Sequence, residues 1–282
     1  LCPRYSAHYV YDVKIGESPL WMKRRLALVG MASISNVVDI TNYVLKEIGQ
    51  PMHAFDGSYL EGNEICVRRA KDAEKIITLD EQEYEMNTDN LVICDGVKPV
   101  ALAGVMGGLN SEIRDTTESV IFESAKFARD SVRKTARSLG KSTDASARYE
   151  KGVDEYSTVL GMKRALHLIE ELQCGKVSST HVDINTGNSI EPTEMKVSIS
   201  KVNGVLGITV PEEDIVRIMK NLDFAPTVDG DQLTIHVPAY REDMLPNGEN
   251  DVERYPDVAE EVIRMYGYDH IVPTFLPTAQ VT

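Results

Sequence analysis

The segment from Asn36 to Asp56, NVVDITNYVLKEIGQPMHAFD, sets Asp39, Thr41, Asn42, Gln50, His53 and Asp56 among apolar residues dense enough to require a core. Val37, Val38, Ile40, Tyr43, Val44, Leu45, Ile48, Met52 and Phe55 place this stretch inside the fold. A buried polar group without a partner costs about 1–3 kcal/mol. Several of them in one buried segment therefore imply that they line a pocket, and this is the chain's main pointer to chemistry.

At 282 residues the chain is long enough for two domains. No apolar run approaches the roughly 20 residues that a bilayer helix needs, and the opening LCPRYSAHYV lacks the apolar block of a signal peptide. A cytoplasmic protein with no membrane partner is expected, and the absence of an initiator Met suggests a piece of a longer chain. Cys2, Cys66, Cys94 and Cys174 show no CxxC pairing, so they read as reduced core thiols and not as a zinc site. The net charge of −14 argues against a generic nucleic-acid binder. It conceals two opposed segments. From Ser124 to Lys151 eight bases (Lys126, Arg129, Arg133, Lys134, Arg137, Lys141, Arg148, Lys151) face three acids, whereas from Glu242 to Glu261 eight acids face Arg254 alone.

Gly, Pro, Asp and Asn punctuation separates short β-rich runs at Ile65 to Arg69, Lys75 to Leu79, Leu91 to Cys94 and Val100 to Ala103. Pro19 to Gly30 reads as a helix with Ser18 as candidate N-cap, and Asp154 to Leu172 as a second helix, with Val159, Met162, Leu166, Ile169 and Leu172 at helical spacing. The polar stretch Asn185 to Thr193 reads as a linker. It sets the expected domains at residues 1–190 and 191–282. The second begins with a strand at Lys196 to Ser200, followed by an amphipathic helix from Pro211 to Leu222 and a hairpin turn at Val228 to Gln232. A final helix is expected to begin at Asp257, which with Glu260 forms a capping-box-like D-x-x-E. The fold class expected is α+β.

Five segments in order, NVVDITNYVLKEIGQPMHAFD, LAGVMGG, FESAKF, KSTDASARYEKGVD and DVAEEVIRMYGYDHI, closely resemble the bacterial phenylalanyl-tRNA synthetase beta subunit. The resemblance runs from about Leu1 to Thr274. It implies a mixed-sheet editing domain followed by a smaller α+β, winged-helix-like module, and hydrolytic proofreading of tyrosine mischarged on phenylalanine tRNA. The partners it implies are that tRNA and an alpha subunit, in an alpha2-beta2 heterotetramer. The aminoacylation site, and with it the use of ATP, belongs to the alpha subunit. The rival from another class is a non-catalytic scaffold that docks tRNA and the alpha subunit around a vestigial pocket.

By the same resemblance Glu123 accepts the para-hydroxyl of the mischarged tyrosine, while His53, Thr41 and Asn42 line the pocket near the scissile ester. Gly104, Thr143 and Ala145 let the substrate approach and shape the amino-acid site. Each has a plainer alternative. His53 alone reads as a satisfied core histidine, and Glu123 as an ion-pair partner of Lys126 or Arg148. The glycines of AGVMGG read as tight-turn residues, since no GK[ST] follows. The basic run is either a solvated face or a phosphate contact, with Lys126, Arg133, Lys134, Arg137 and Lys141 as the tRNA-binding candidates. Asp251, Asp257, Glu260 and Glu261 match magnesium-ligand positions, and oxygen donors suit Mg2+. Acids in a first helical turn are equally explained by the helix dipole. The apparent insertion Met244 to Asn250 makes Asp243 a rival to Asp251.

Overall fold

The computed structural model describes residues 1–62, 64–187, 193–244 and 254–273. The chain divides into two compact units, Leu1–Ser189 and Ile190–Thr282. The first opens with β1 (Arg4–Tyr11), α1 (Leu20–Leu28), α2 (Asn36–Ile48) and β2 (Met52–Asp56). Five short strands and a two-residue one follow: β3 (Cys66–Arg69), β4 (Glu74–Ile77), β5 (Glu83–Met86), β6 (Leu91–Cys94), β7 (Pro99–Leu102) and β8 (Met106–Gly107). It continues through β9 (Val120–Lys126), α3 (Arg129–Ser138), α4 (Asp144–Lys151) and α5 (Glu155–Glu171) to β10 (Lys176–Asn185). The class is α+β, and every described ladder is antiparallel.

Two sheets matter for the site, β10-β1-β9-β2 and β3-β6-β7-β8. Because strand side chains alternate between faces, β9 and β2 supply two different cores. Val120, Phe122 and Ala54 join Val37, Ile40, Val44 and Leu168 in the core beneath α2 and α5. Phe55 and Ala125 join Leu91, Ile93, Leu102, Phe127 and Tyr149 on the side of the second sheet. Glu123 lies between Phe122 and Ser124, and His53 two residues before Phe55, so both project toward that second core.

α2 explains how polar residues survive in the opening segment. Val37, Ile40 and Val44 are fully buried along it, and Gly49 ends it with φ of +91°, a left-handed conformation that glycine adopts without steric cost. Most of the buried polar groups are spent on local structure and not on a pocket. Asp39 accepts from Ser18, Ser33 and the backbone of Ile34, and Asn36 bonds Gly16 and Lys14. Gln50 donates to the carbonyls of Pro51 and Ala125, while Asp56 accepts from Ser58 and Thr117. The expectation that these residues jointly line a cavity is thus corrected for Asp39, Gln50 and Asp56, whose bonds run to backbone carbonyls, loop hydroxyls and amides, although Gln50 Oε1 is buried with no partner.

Other boundaries also moved. α1 is preceded by Pro19 with no side-chain cap, because the Ser18 hydroxyl turns to Asp39. The stretch leading into the expected linker is strand β10, paired with β1 through Asn185.

The second unit contains β11 (Thr193–Ser198), α6 (Ile199–Leu206), α7 (Glu212–Asn221), β12 (Thr227–Asp229), β13 (Gln232–Val237) and α8 (Tyr255–Tyr266). Its three strands pair in the order β11-β13-β12, with Gly230 at φ of +59° in the turn between β12 and β13. Met195, Ile215, Met219, Phe224, Leu233 and Val258 form its core. The expected strand through Ser200 stops at Ser198, whose side chain accepts from Lys201 N and starts α6. α8 begins at Tyr255 and not at Asp257: Pro256 occupies its first turn, a position where a missing N–H costs nothing.

Candidate functional site

His53 on β2 and Glu123 on β9 are register partners in the antiparallel ladder. Directly opposed side chains on one face stand about 4.5–5.5 Å apart at Cβ. A separation of 70 positions along the chain is thereby cancelled, and the two groups wall one cavity of about 70 Å3 with Leu102, Gly104, Gly107, Ala145 and Tyr149. The hollow is well above the roughly 10–15 Å3 that one water requires.

Burial acts on the two groups in opposite directions. It pushes the Glu123 carboxyl up to about 8, partly offset by a hydrogen bond from Tyr5, because an apolar setting disfavours the charged form. The same cause pushes the His53 imidazole down to about 4. At neutral pH the cavity presents a neutral acid, not the carboxylate expected from sequence, beside a neutral imidazole. His53 Nε2 is buried with no hydrogen-bond partner, a cost that a bound polar group would relieve. Glu123 forms neither of the ion pairs considered for it. Its carboxyl accepts from the Tyr5 phenol at 3.3 Å, and Lys126 pairs with Glu155 at 3.1 Å.

The glycine-rich turn acts through steric room. Gly104 has φ of +70°, and a Cβ there would meet Tyr149 at 2.9 Å and Phe127 at 3.1 Å. A Cβ on Gly107 would fall 2.3 Å from His53 Cε1, so only glycine lets the backbone lie against the imidazole.

Ala145, on α4, also lines the cavity. Thr143 caps that helix: its hydroxyl accepts from Ser146 N and donates to the Val105 carbonyl at 2.8 Å, tying the turn to the helix. Thr41 and Asn42 do not stand on the cavity wall. The Thr41 hydroxyl donates back to Val38 O, and Asn42 is half-buried one turn before Lys46, which pairs with Asp144. Three contributors escaped the sequence reading. Tyr149 had a signal, since it follows Ala145 by one helical turn. Gly107 had one as well, within AGVMGG. Tyr5 had none.

Of the tRNA-binding candidates, Lys126 and Lys141 are engaged, Lys141 with Asp80 at 2.5 Å. Arg133, Lys134 and Arg137 are exposed on α3. The described acids do not fit magnesium. Among the described residues no group of three or more His, Cys, Asp or Glu side chains could hold a metal. Burial raises the Glu261 carboxyl, but Arg241 and Arg264 bind it and hold it below its usual range. Asp243 pairs with Arg241 at 2.7 Å, while Asp257 and Glu260 lie in the exposed first turns of α8. Asp251 and residues 245–250 of the insertion lie outside the described residues.

Two family models match, the B3/4 domain over residues 1–174 and the tRNA synthetase B5 domain over residues 195–268. The chain is 44% identical over 280 residues to the phenylalanine–tRNA ligase beta subunit of Syntrophus aciditrophicus, covering 98% of this chain and 34% of that protein. It is likewise 44% identical over 278 residues to the beta subunit of Geobacillus kaustophilus, covering 99% and 33%. A crystal structure of an N-terminal fragment of the phenylalanyl-tRNA synthetase beta subunit from Pyrococcus horikoshii aligns with a TM-score of 0.42 at 12% identity, over 94% of this chain and 71% of that one. The chain spans about a third of the length of the curated relatives it matches. No helix among the described residues is long and apolar enough to cross a membrane.

Proposed function

The chain belongs to the B3/4 domain family, with a tRNA synthetase B5 domain after it, and we propose that it is the proofreading part of a phenylalanine–tRNA ligase beta subunit, hydrolysing tyrosine wrongly esterified to phenylalanine tRNA. The observation that carries this reading is the cross-strand pairing of His53 with Glu123 over one cavity. Phenylalanine and tyrosine differ by a hydroxyl, and an apolar pocket rejects an added hydroxyl by only about a hundredfold, so a second site that rewards it is needed. Glu123 meets that need. A phenol fills the hydrogen-bonding capacity that Tyr5 leaves open, whereas a phenyl ring leaves one buried carboxyl oxygen unpaired.

With the phenol at Glu123, the ester lies toward His53. Water adds to the ester carbonyl, the bond to the ribose oxygen breaks, and one water proton ends on that oxygen. The neutral imidazole orients the water first and takes up its proton second. The ester is already activated, so positioning supplies much of the rate. Arg133, Lys134 and Arg137 on α3 guide the tRNA acceptor end through its phosphates. The aminoacylation chemistry with ATP and Mg2+ resides with the alpha subunit, in an alpha2-beta2 enzyme of the cytoplasm. Deacylation of Tyr-tRNA by the full synthetase tests the reading. Glu123→Ala and His53→Ala should each lose most of the hydrolytic rate, and wild-type rates in both would remove the assignment.

A further inference from the structure

We propose that Tyr5 is a positioning residue for Glu123, fixing which carboxyl oxygen faces the cavity and so the preference for a hydroxylated ring; this rests on the proofreading reading. β1 pairs with β9 so that Ala7 faces Glu123 and Tyr5 faces Ala125. Tyr5 therefore sits diagonally from Glu123 on the same face, a separation that a long aromatic side chain spans. Its phenol donates to Glu123 Oε2 at 3.3 Å, the one hydrogen bond to that carboxyl found among the described residues.

The other titratable groups nearby leave Glu123 to Tyr5. The Tyr149 phenol donates to the Ala125 carbonyl at 2.8 Å, and the Cys2 thiol contacts Arg4 O. Burial, then Glu123, pushes Cys2 up to about 12, and burial raises Tyr149 well above its usual value, so both stay neutral. His53 lies across the ladder as a neutral ring. Burial followed by the nearness of Glu123 also keeps the Tyr5 phenol protonated and therefore a donor.

A neutral carboxyl has one oxygen that only accepts and one that carries the proton. Because Tyr5 donates to Oε2, that oxygen is the acceptor and the proton resides on Oε1. Oε1–H is then the group offered to a ligand phenol oxygen. Without Tyr5 the carboxyl turns freely, and either oxygen meets the ligand.

Two variants read this. Tyr5→Phe keeps the ring and removes the donor, whereas 3-fluorotyrosine at position 5 keeps the shape and donates more strongly. Carbon-13 titration of the Glu123 carboxyl in the 282-residue chain, assigned by difference against Glu123→Gln, reads the contact without tRNA. The carboxyl pKa should rise in Tyr5→Phe and fall with fluorotyrosine; no movement in either overturns the proposal. In the full synthetase, Tyr5→Phe should lower kcat/KM for Tyr-tRNA by about tenfold, the size of one neutral hydrogen bond, mainly through KM and with little change for Phe-tRNA. An equal loss for both esters, or an unchanged ratio, also overturns it. If Glu123→Gln itself keeps the tyrosine preference, the proofreading reading fails and takes the specificity role of Tyr5 with it, even where the titration moves.

Discussion

Glu123 and His53 are displaced by one cause with opposite consequences for stability. The folded carboxyl binds its proton up to about 8 where an unperturbed one releases it near 4.5. Its contribution is therefore full at low pH and lost as pH rises across that interval. The folded imidazole resists protonation down to about 4 against an ordinary 6.5, so its contribution is lost as pH falls from 6.5 toward 4. Glu123→Gln removes only the alkaline-side loss. Thermal unfolding followed from pH 6 to pH 9 should show the wild-type midpoint dropping by several degrees relative to the variant, given that about 1 kcal/mol moves a domain of this size by roughly 2–4 °C. Parallel curves would mean that the carboxyl is ionised and solvated in the folded protein. Of this pair the sequence disclosed the identities through their motifs but not the contact. Their approach is a ladder register, and the Tyr5 contact spans 118 positions, which no local pattern encodes.

α4 shows how an element can serve a site without presenting its own capping residue to it. Thr143 closes a capping box with Ser146 and also holds the Val105 carbonyl of the glycine-rich turn. Thr143→Val keeps the shape and loses both bonds, at a cost of about 1–2 kcal/mol, while Thr143→Ser keeps the hydroxyl and should stay close to wild type. Urea unfolding separates the two, and equal midpoints for Val and Ser would show that the cap carries no weight. Elements whose signal is local were legible from sequence: α5 with its apolar residues at helical spacing, α7 with its apolar stripe, and the β12–β13 turn around Gly230. β9 was not, because its burial on both faces and its internal Glu123–Ser124 pair erase the alternation that marks a half-buried strand. β1 and β10 were missed for a related reason. Their residues acquire meaning only through pairing with each other across the length of the first unit.

The two units carry separate hydrophobic cores, one set within Leu1–Ser189 and another within Ile190–Thr282. Charge is divided in the same way: the exposed cations of α3 lie in the first, and the arginine-bound Glu261 with its acidic neighbours in the second. A compact unit with its own buried interior is a cooperative unit of unfolding, so the two units predict two transitions. Met219 is fully buried in the second core, and Met219→Ala should cost about 2–5 kcal/mol there. Calorimetry of the whole chain should then show two transitions, of which this substitution lowers one and leaves the other in place. The unmoved transition should be the one that responds to pH through Glu123 and His53, since both lie in the first unit. A single transition shifted alike by Met219→Ala and Glu123→Gln would instead make the chain one cooperative body, and the cavity between His53 and Glu123 would then depend on the stability of the B5 domain.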